Sequence, residues 1–242
     1  MASTTSPRQL LLVHGAWHGA WSWAGLQSAL DALGVASHAL DLPGHGISDL
    51  PLGNVSDDAD AVVRALDALG PDTVLVGHSY GGAVITQAAA RSTKVGQLVY
   101  IAAFALDDGE SVNGFLRTAP RHSVELAEIM QPDTDQGVTT LDPSAAGPLL
   151  YPGVGPDQQS AMVARLSPQS FTSMTTPITG SPRSTIPSTY VLCTRDRAVH
   201  PEHQRIMAAR CTTTIELDSD HSPFIDDPAG VAALLRDIAI AP

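Results

Sequence analysis

Of the thirteen basic residues in this 242-residue chain, only Lys94 is a lysine, and basic residues as a class are scarce. Acidic residues outnumber them 25 to 13, which gives a formal net charge of −12 and a pI near 4.9. A surface of that sign repels phosphate backbones and anionic lipid, so neither nucleic acid nor a membrane surface is an expected partner. Cysteine occurs only twice, at Cys193 and Cys211. Two thiols make no disulfide framework, and their spacing from the nearest histidines matches no zinc pattern, so both read as free thiols and no metal site is expected. Long apolar runs are missing as well: nothing approaches the roughly 18 unbroken apolar residues of a membrane span. The N-terminal MASTTSPRQLLLVHG carries one arginine and too short an apolar stretch for a signal peptide. These absences leave a soluble, cytoplasmic protein as the expectation. The preference for arginine, beside abundant alanine, proline and glycine, is what a GC-rich bacterial genome encodes.

With 43% hydrophobic residues, the chain is long enough to bury a substantial core, and an α/β domain of this length is commonly one unit. Its patterning alternates. Buried-strand runs at 9–14, 36–40, 73–78, 96–104, 188–194 and 212–218 are separated by helical spacing at 21–34, 56–69, 80–91, 201–209 and 228–238. Ser56 and Asp57 are the cap candidates for the second helix. Such alternation predicts a mostly parallel central sheet with helices on both faces. Residues 107–185 break the rhythm: they are rich in Pro, Gly, Ser and Thr, with modest helical patterns only at 122–130 and 156–166. Loops beyond about 15 residues are uncommon in a compact domain, so this stretch reads as a cap inserted between the core halves 1–106 and 186–242.

Gly77-His78-Ser79-Tyr80-Gly81 fits G-x-S-x-G between a predicted strand and a predicted helix, the context that this motif requires. Taken alone, the pattern also describes a glycine-rich turn with a serine N-cap. A hydroxyl is a weak nucleophile without a base, and the base needs a carboxylate to fix its tautomer. Downstream histidines are His122, His200, His203 and His221. Of these, His221 directly follows a predicted strand, in LDSDHSPF, where it can reach across the sheet's carboxyl edge. For the acid, Asp196 lies just past STYVLCT. It is preferred on loop position to Asp107 and Asp108, and to Asp218 and Asp220, which are too near His221 in the chain. The flanking Arg195 and Arg197 leave open an ordinary ion pair at Asp196. In the loop after the first strand, HGAWH, the backbone N–H of Ala16 is the expected oxyanion donor together with that of Tyr80. His14 reads as a structural histidine and His45 is assigned no chemistry. Trp17, Trp21 and Trp23 read as packing residues, although Trp17 and His18 are placed to line the mouth of a substrate site. Phe104, Phe115, Leu149, Leu150, Tyr151, Phe171 and Met174 are apolar lining or cap core.

LLLVHGAWHGAWSW, DLPGHGISD, VGHSYGGAV, STYVLCTRDRAVHPEHQRIMA and ELDSDHSPFIDDPAGVAALL together resemble the α/β-hydrolase superfamily. More narrowly they resemble its branch of plant methyl esterases (salicylate-binding esterase-like), hydroxynitrile lyases and small bacterial esterases. The likeness covers residues 9–106 and 186–240 and hardly touches the cap. It implies the α/β-hydrolase fold, a triad of Ser79, Asp196 and His221, and oxyanion donors at Ala16 and Tyr80. It also implies hydrolysis of a small carboxylic ester or lactone through an acyl-enzyme, with no cofactor. The lyases of this branch carry threonine where Gly15 stands, and lysine where Ser222 follows the histidine; both departures favour hydrolysis. A cofactor-free lyase, cyclase or dehydratase of secondary metabolism using His221 as base is the alternative, and a small-molecule binding protein on the same fold a third. The expected partner is a small-molecule substrate, and apolar residues exposed on the cap would suit a homodimer.

Overall fold

The computed structural model describes residues 7–241; the part of the N-terminal reading that rests on residues 1–6 lies outside them. The chain opens with Leu10–Val13 (β1), a short 3-10 turn at Ala20–Trp23, Ala24–Ala32 (α1), Ser37–Leu40 (β2), Val55–Asp67 (α2), Thr73–His78 (β3), Gly81–Ala89 (α3) and Val95–Ile101 (β4). Short elements follow: Val112–Thr118 (α4), Glu125–Ile129 (α5), Met130–Asp133 (β5), Val138–Leu141 (β6), Pro143–Leu150 (α6), Pro156–Val163 (α7), Gln169–Ser170 (β7) and Phe171–Thr175 (α8). The regular alternation then resumes with Ser188–Cys193 (β8), Pro201–Ala208 (α9), Thr213–Leu217 (β9), Pro223–Asp226 (α10) and Pro228–Ile240 (α11).

Six strands form one parallel sheet in the order β2-β1-β3-β4-β8-β9. LLLV, TVLVGH and STYVLC are buried along their whole length, as strands covered on both faces must be. The order reverses at β1. From β1 the chain steps outward to β2, and from β3 it steps the other way to β4. Right-handed crossovers therefore put α1 on one face and α2 and α3 on the other. The contacts agree: α1 packs against α11, and α2 against α3. Every residue of α3 is buried, which its Gly and Ala content allows. The carboxyl ends of β1, β3, β8 and β9 share one edge of this sheet.

Several boundaries differ from the sequence reading. Helix α2 is capped by Asn54 rather than by Ser56 or Asp57: the Asn54 side chain accepts from Ser56 N at 2.7 Å, and Asp57 reaches back to Asn54 N at 2.8 Å. Asp57 is thus the returning arm of a capping box. The helix expected over 21–34 starts as a 3-10 turn and ends at Ala32, with Gly34 turning the chain out at φ +71°. The strand expected to reach 104 stops at Ile101, because Ala102 takes φ +45°. Between β4 and β8 the chain also builds α4, α6, α8 and an antiparallel β5-β6-β7 sheet, none of them anticipated. Those strands are two to four residues long and read MQPD, VTTL and QS, too short and too polar to show a period.

Two expectations concern stability. Trp23 is fully buried and stacks on Phe224 with ring centroids 4.0 Å apart, while its indole N–H has no partner. Trp23→Ala should cost about 3–5 kcal/mol in urea unfolding. Trp23→Phe should cost less than half as much, because no hydrogen bond is lost. Asp58 is also buried, accepts the Tyr80 hydroxyl at 2.5 Å, and has its pKa raised to about 7, mainly by burial. From about pH 4 to pH 7 the folded chain then binds the Asp58 proton more tightly than the unfolded chain, so this group's contribution to stability falls as pH rises through that window. Relative to Asp58→Asn, the wild type should lose on the order of 4 kcal/mol between those limits and nothing further above them; parallel slopes for the two proteins would refute the buried acid.

Candidate active site

Ser79 follows β3 directly and takes φ +52°, the left-handed region that side chains avoid. Its backbone is held on both sides, with Ser79 N–H donating to Ile101 O at 3.2 Å and Phe104 N–H donating to Ser79 O at 3.0 Å. Glycine is required around this turn by crowding. A Cβ at Gly77 would lie 2.6 Å from Gly81 O, and one at Gly81 would lie 2.6 Å from Val13 O. The turn lifts the serine to the head of α3, where the Tyr80 N–H opens the helix.

The Asp196 carboxylate is buried in the loop after β8 and receives four hydrogen bonds. Oδ1 accepts from Ala198 N at 2.7 Å and Val199 N at 2.9 Å. Oδ2 accepts from Gln204 Nε2 at 2.8 Å and from His221 Nδ1 at 2.7 Å. With Nδ1–H directed at the carboxylate, Nε2 of His221 is left to act as a base. His221 and Ser79 border the same small void, together with Gly15, His78 and Leu150. Among the described residues no hydrogen bond joins Ser79 Oγ to the ring; bonds of this kind commonly tighten when substrate binds. The rival acids are engaged elsewhere. Asp107 pairs with Arg183 at 2.6 Å, Asp108 accepts from Gly180 N at 2.7 Å, and Asp218 pairs with Arg195 at 3.0 Å. Arg195 and Arg197 turn away from Asp196, toward Asp218, Asp220 and Glu125.

Two supporting residues escaped the sequence reading. Gln204 is fully buried on α9, where it accepts from Cys193 N at 3.0 Å and donates to Val199 O and Asp196 at 2.8 Å. It ties the end of β8 to the loop that carries Asp196. His78, the residue before the serine, donates through Nε2 to His221 O at 2.9 Å, and burial keeps its pKa well below the usual imidazole range. The G-H-S-Y-G spelling offered His78 for inspection; nothing in the spacing marked Gln204.

Facing Ser79 is the loop after β1. Gly15 O accepts from His14 Nδ1 at 2.8 Å, and His14 Nε2 in turn accepts from Leu42 N at 3.1 Å. Burial lowers the His14 pKa well below its usual value, so the ring is neutral with its proton on Nδ1. In a trans peptide the N–H points opposite to the C=O. Holding Gly15 O on the His14 side therefore turns the Ala16 N–H the other way. Among the described residues neither Ala16 N–H nor Tyr80 N–H donates a hydrogen bond, so both remain available.

Beside Ser79 lies a chamber of about 440 Å³. Ala16, Trp17, Tyr80 and Phe104 line it at the serine end, and Val112, Leu116, Leu126, Met130 and Met174 give it apolar walls. Besides Ser79, its polar lining is Asn113, Arg121, His122, Ser123 and His203, with no acidic residue. Trp17 and Phe104 thus both line the chamber beside Ser79. His18 does not line this chamber: only 2% exposed, it turns inward, donating from Nδ1 to Ala16 O at 2.7 Å and accepting the Tyr151 hydroxyl at Nε2, also at 2.7 Å. Its pKa, lowered to about 4 by burial, fits a neutral ring placed between an acceptor and a donor. Of the apolar candidates, Met174 reaches the chamber, whereas Phe115, Leu149 and Tyr151 are buried away from it, Phe115 against Phe104, His203 and Arg210 and Tyr151 against His18. No cluster of metal-ligating side chains occurs among the described residues, and no helix there is long and apolar enough to cross a membrane.

Known proteins agree with this architecture. The chain is 28% identical over 246 residues to an alpha/beta hydrolase, nvfD, of Aspergillus novofumigatus, covering 95% of this chain and 96% of that protein. It is 27% identical over 253 residues to salicylic acid-binding protein 2 of Nicotiana tabacum, covering 96% and 97%. Among solved structures, a pyrethroid hydrolase from Sphingobium faniae superposes with a TM-score of 0.82 at 25% identity, over 97% of this chain and 98% of that one. The model of the alpha/beta hydrolase family matches residues 10–234, so the chain belongs to the alpha/beta hydrolase family.

Proposed function

We propose that the protein is a serine carboxylesterase, with residues 107–185 as its cap. One observation supports this reading: a buried Asp196–His221 pair, 2.7 Å apart, borders the same small void as a left-handed Ser79, which also lines a mainly apolar chamber. His221 Nε2 takes the Ser79 proton as Oγ attacks the ester carbonyl. Ala16 and Tyr80 N–H groups receive the oxyanion, and His221 returns the proton to the departing alcohol. Water, activated by the same imidazole, then releases the acid. Among the relatives, methylesterases of Arabidopsis thaliana and the pyrethroid hydrolase bear names of ester-cleaving enzymes, and the chamber suits an ester whose acyl or alcohol part is mainly apolar.

The lyase alternative is weakened at the two positions where the sequence departs from that branch. At Gly15, a Cβ would lie 2.9 Å from Ser79 Cβ, so a threonine there would require the serine turn to shift. Ser222 is buried with its hydroxyl unpartnered, and a neutral group there supplies no cation for a departing anion.

A panel of methyl esters, aryl acetates and lactones should yield a hydrolysed substrate, and a fluorophosphonate should add to Ser79 and to no other residue in a peptide digest. Ser79→Ala and His221→Ala should each lower kcat by at least about 10³-fold, and Asp196→Asn by about 10³- to 10⁴-fold through the wrong imidazole tautomer. Retention of hydrolysis within about tenfold in Ser79→Ala, a change of roughly 1.4 kcal/mol in barrier, would remove the nucleophile assignment.

A further inference from the structure

Two peptide planes flank Ala16, and a neutral imidazole grips each of them. His14, set from within the core by Leu42 N–H, holds the plane before it. The plane after it is held from the inserted segment. At one end, Ala16 O accepts from His18 Nδ1, and the Tyr151 hydroxyl on His18 Nε2 fixes that tautomer. At the other end, Trp17 N–H donates to Gln169 Oε1 at 3.2 Å. Trp17 itself takes φ +62° and is grasped twice more from the same segment: its O accepts from Ser167 N at 2.9 Å, and its Nε1 donates to Thr139 at 3.1 Å. Gln169, 1% exposed, is anchored in turn by donating to Ser173 Oγ at 2.7 Å.

We propose that Tyr151 and Gln169 are positioning residues of the oxyanion hole, so that the Ala16 N–H, whose direction His14 sets, is brought fully to its position only while the cap is docked. This rests on the esterase reading. The physical reason is that the two neutral imidazole tautomers are close in energy, and the one present follows the hydrogen bond made by the other nitrogen. Without the Tyr151 O–H, Nε2 of His18 can hold the proton, and the bare Nδ1 then faces Ala16 O and repels it. Without Gln169, the Trp17 N–H loses its acceptor, and a left-handed tryptophan relaxes toward the ordinary backbone regions. Either change frees the Ala16–Trp17 peptide, and the Ala16 Cα that joins it to the preceding plane shifts, so the N–H on that plane is displaced although His14 still sets its direction. The cap would then be more than a wall of the substrate chamber, because its seating would complete the catalytic apparatus.

The test is Tyr151→Phe, which keeps the ring, and Gln169→Leu, which keeps the volume. Each should lower kcat about 10- to 100-fold, short of the loss from deleting an oxyanion donor outright, with KM within about threefold. Affinity for a trifluoromethyl ketone or boronic acid, whose adduct uses the oxyanion hole, should fall in step with kcat/KM. Nitrogen-15 spectra of His18 should show the Nδ1–H tautomer in the wild type and a mixture in Tyr151→Phe. Unchanged kcat in both variants, or an Nε2–H tautomer in the wild type, would overturn the proposal. So would a fall in kcat with undiminished inhibitor affinity, which would mark a general loosening of the fold. If the wild type cleaves no ester and Ser79 resists the fluorophosphonate, the esterase reading fails, and the His18 tautomer still judges the positioning claim separately.

Discussion

The backbone of Ser79 is the constraint on which the rest of the site depends. A left-handed serine costs on the order of 1–3 kcal/mol and persists only where its surroundings leave no alternative. Here the surroundings are the parallel sheet itself: β4 supplies the carbonyl of Ile101 to the Ser79 N–H, and the chain just beyond β4 returns Phe104 N–H to the Ser79 carbonyl. Gly77 and Gly81 let β3, α3 and the end of β1 approach closely enough to close the turn. Because β1 is pressed against Gly81, the loop that follows β1 is delivered to the serine. Position in the sheet, rather than any local preference of the loop, brings Ala16 to Ser79.

Neutral histidines do much of the holding around that turn. His14, His18 and His78 are buried, and burial lowers the pKa of each below the usual imidazole value. Each ring donates from one nitrogen to a main-chain carbonyl: Gly15 O, Ala16 O and His221 O. A neutral imidazole can donate at one end and accept at the other, which suits it to a dry interior where a cation would be costly to bury. The three rings therefore fix backbone direction without adding charge beside Ser79. His221 differs from them in having a carboxylate as its partner.

What the sequence made legible was whatever chain position and local chemistry decide together. VGHSYGG after a β-branched run announced the turn, and Asp196 and His221 were found because each follows a strand end on the same edge of the sheet. The cap of α2 lies two and three residues before the candidates Ser56 and Asp57, because these and Asn54 are all competent cappers and only the returned bond from Asp57 distinguishes them. The inserted segment was opaque for a different reason. Its strands are too short for periodicity, and its structure comes from distant pairing: Gln169 meets Trp17 across 152 residues, and Tyr151 meets His18 across 133. No window along the chain contains both partners. His18 is a candidate for the mouth because it lies beside Trp17 in the chain, yet its ring is tied up by Ala16 O and the Tyr151 hydroxyl and borders only the small void between Ser79 and His221, not the chamber.

These distant contacts have a consequence for how such a chain can change its substrate. The segment between β4 and β8 supplies most of the chamber's walls, so altering Leu116, Leu126, Met130 or Met174 reshapes the pocket without touching the core sheet. The same segment carries Gln169, which holds the Ala16–Trp17 peptide directly, Tyr151, which holds it through His18, and Ser167 and Thr139, which hold the Trp17 carbonyl and indole. Wall residues and holding residues lie on different parts of the segment, the former mainly on α4, α5 and α8, the latter on the small sheet and at the end of α6. A chamber can therefore be remodelled through its helices while the small sheet keeps its grip on the loop.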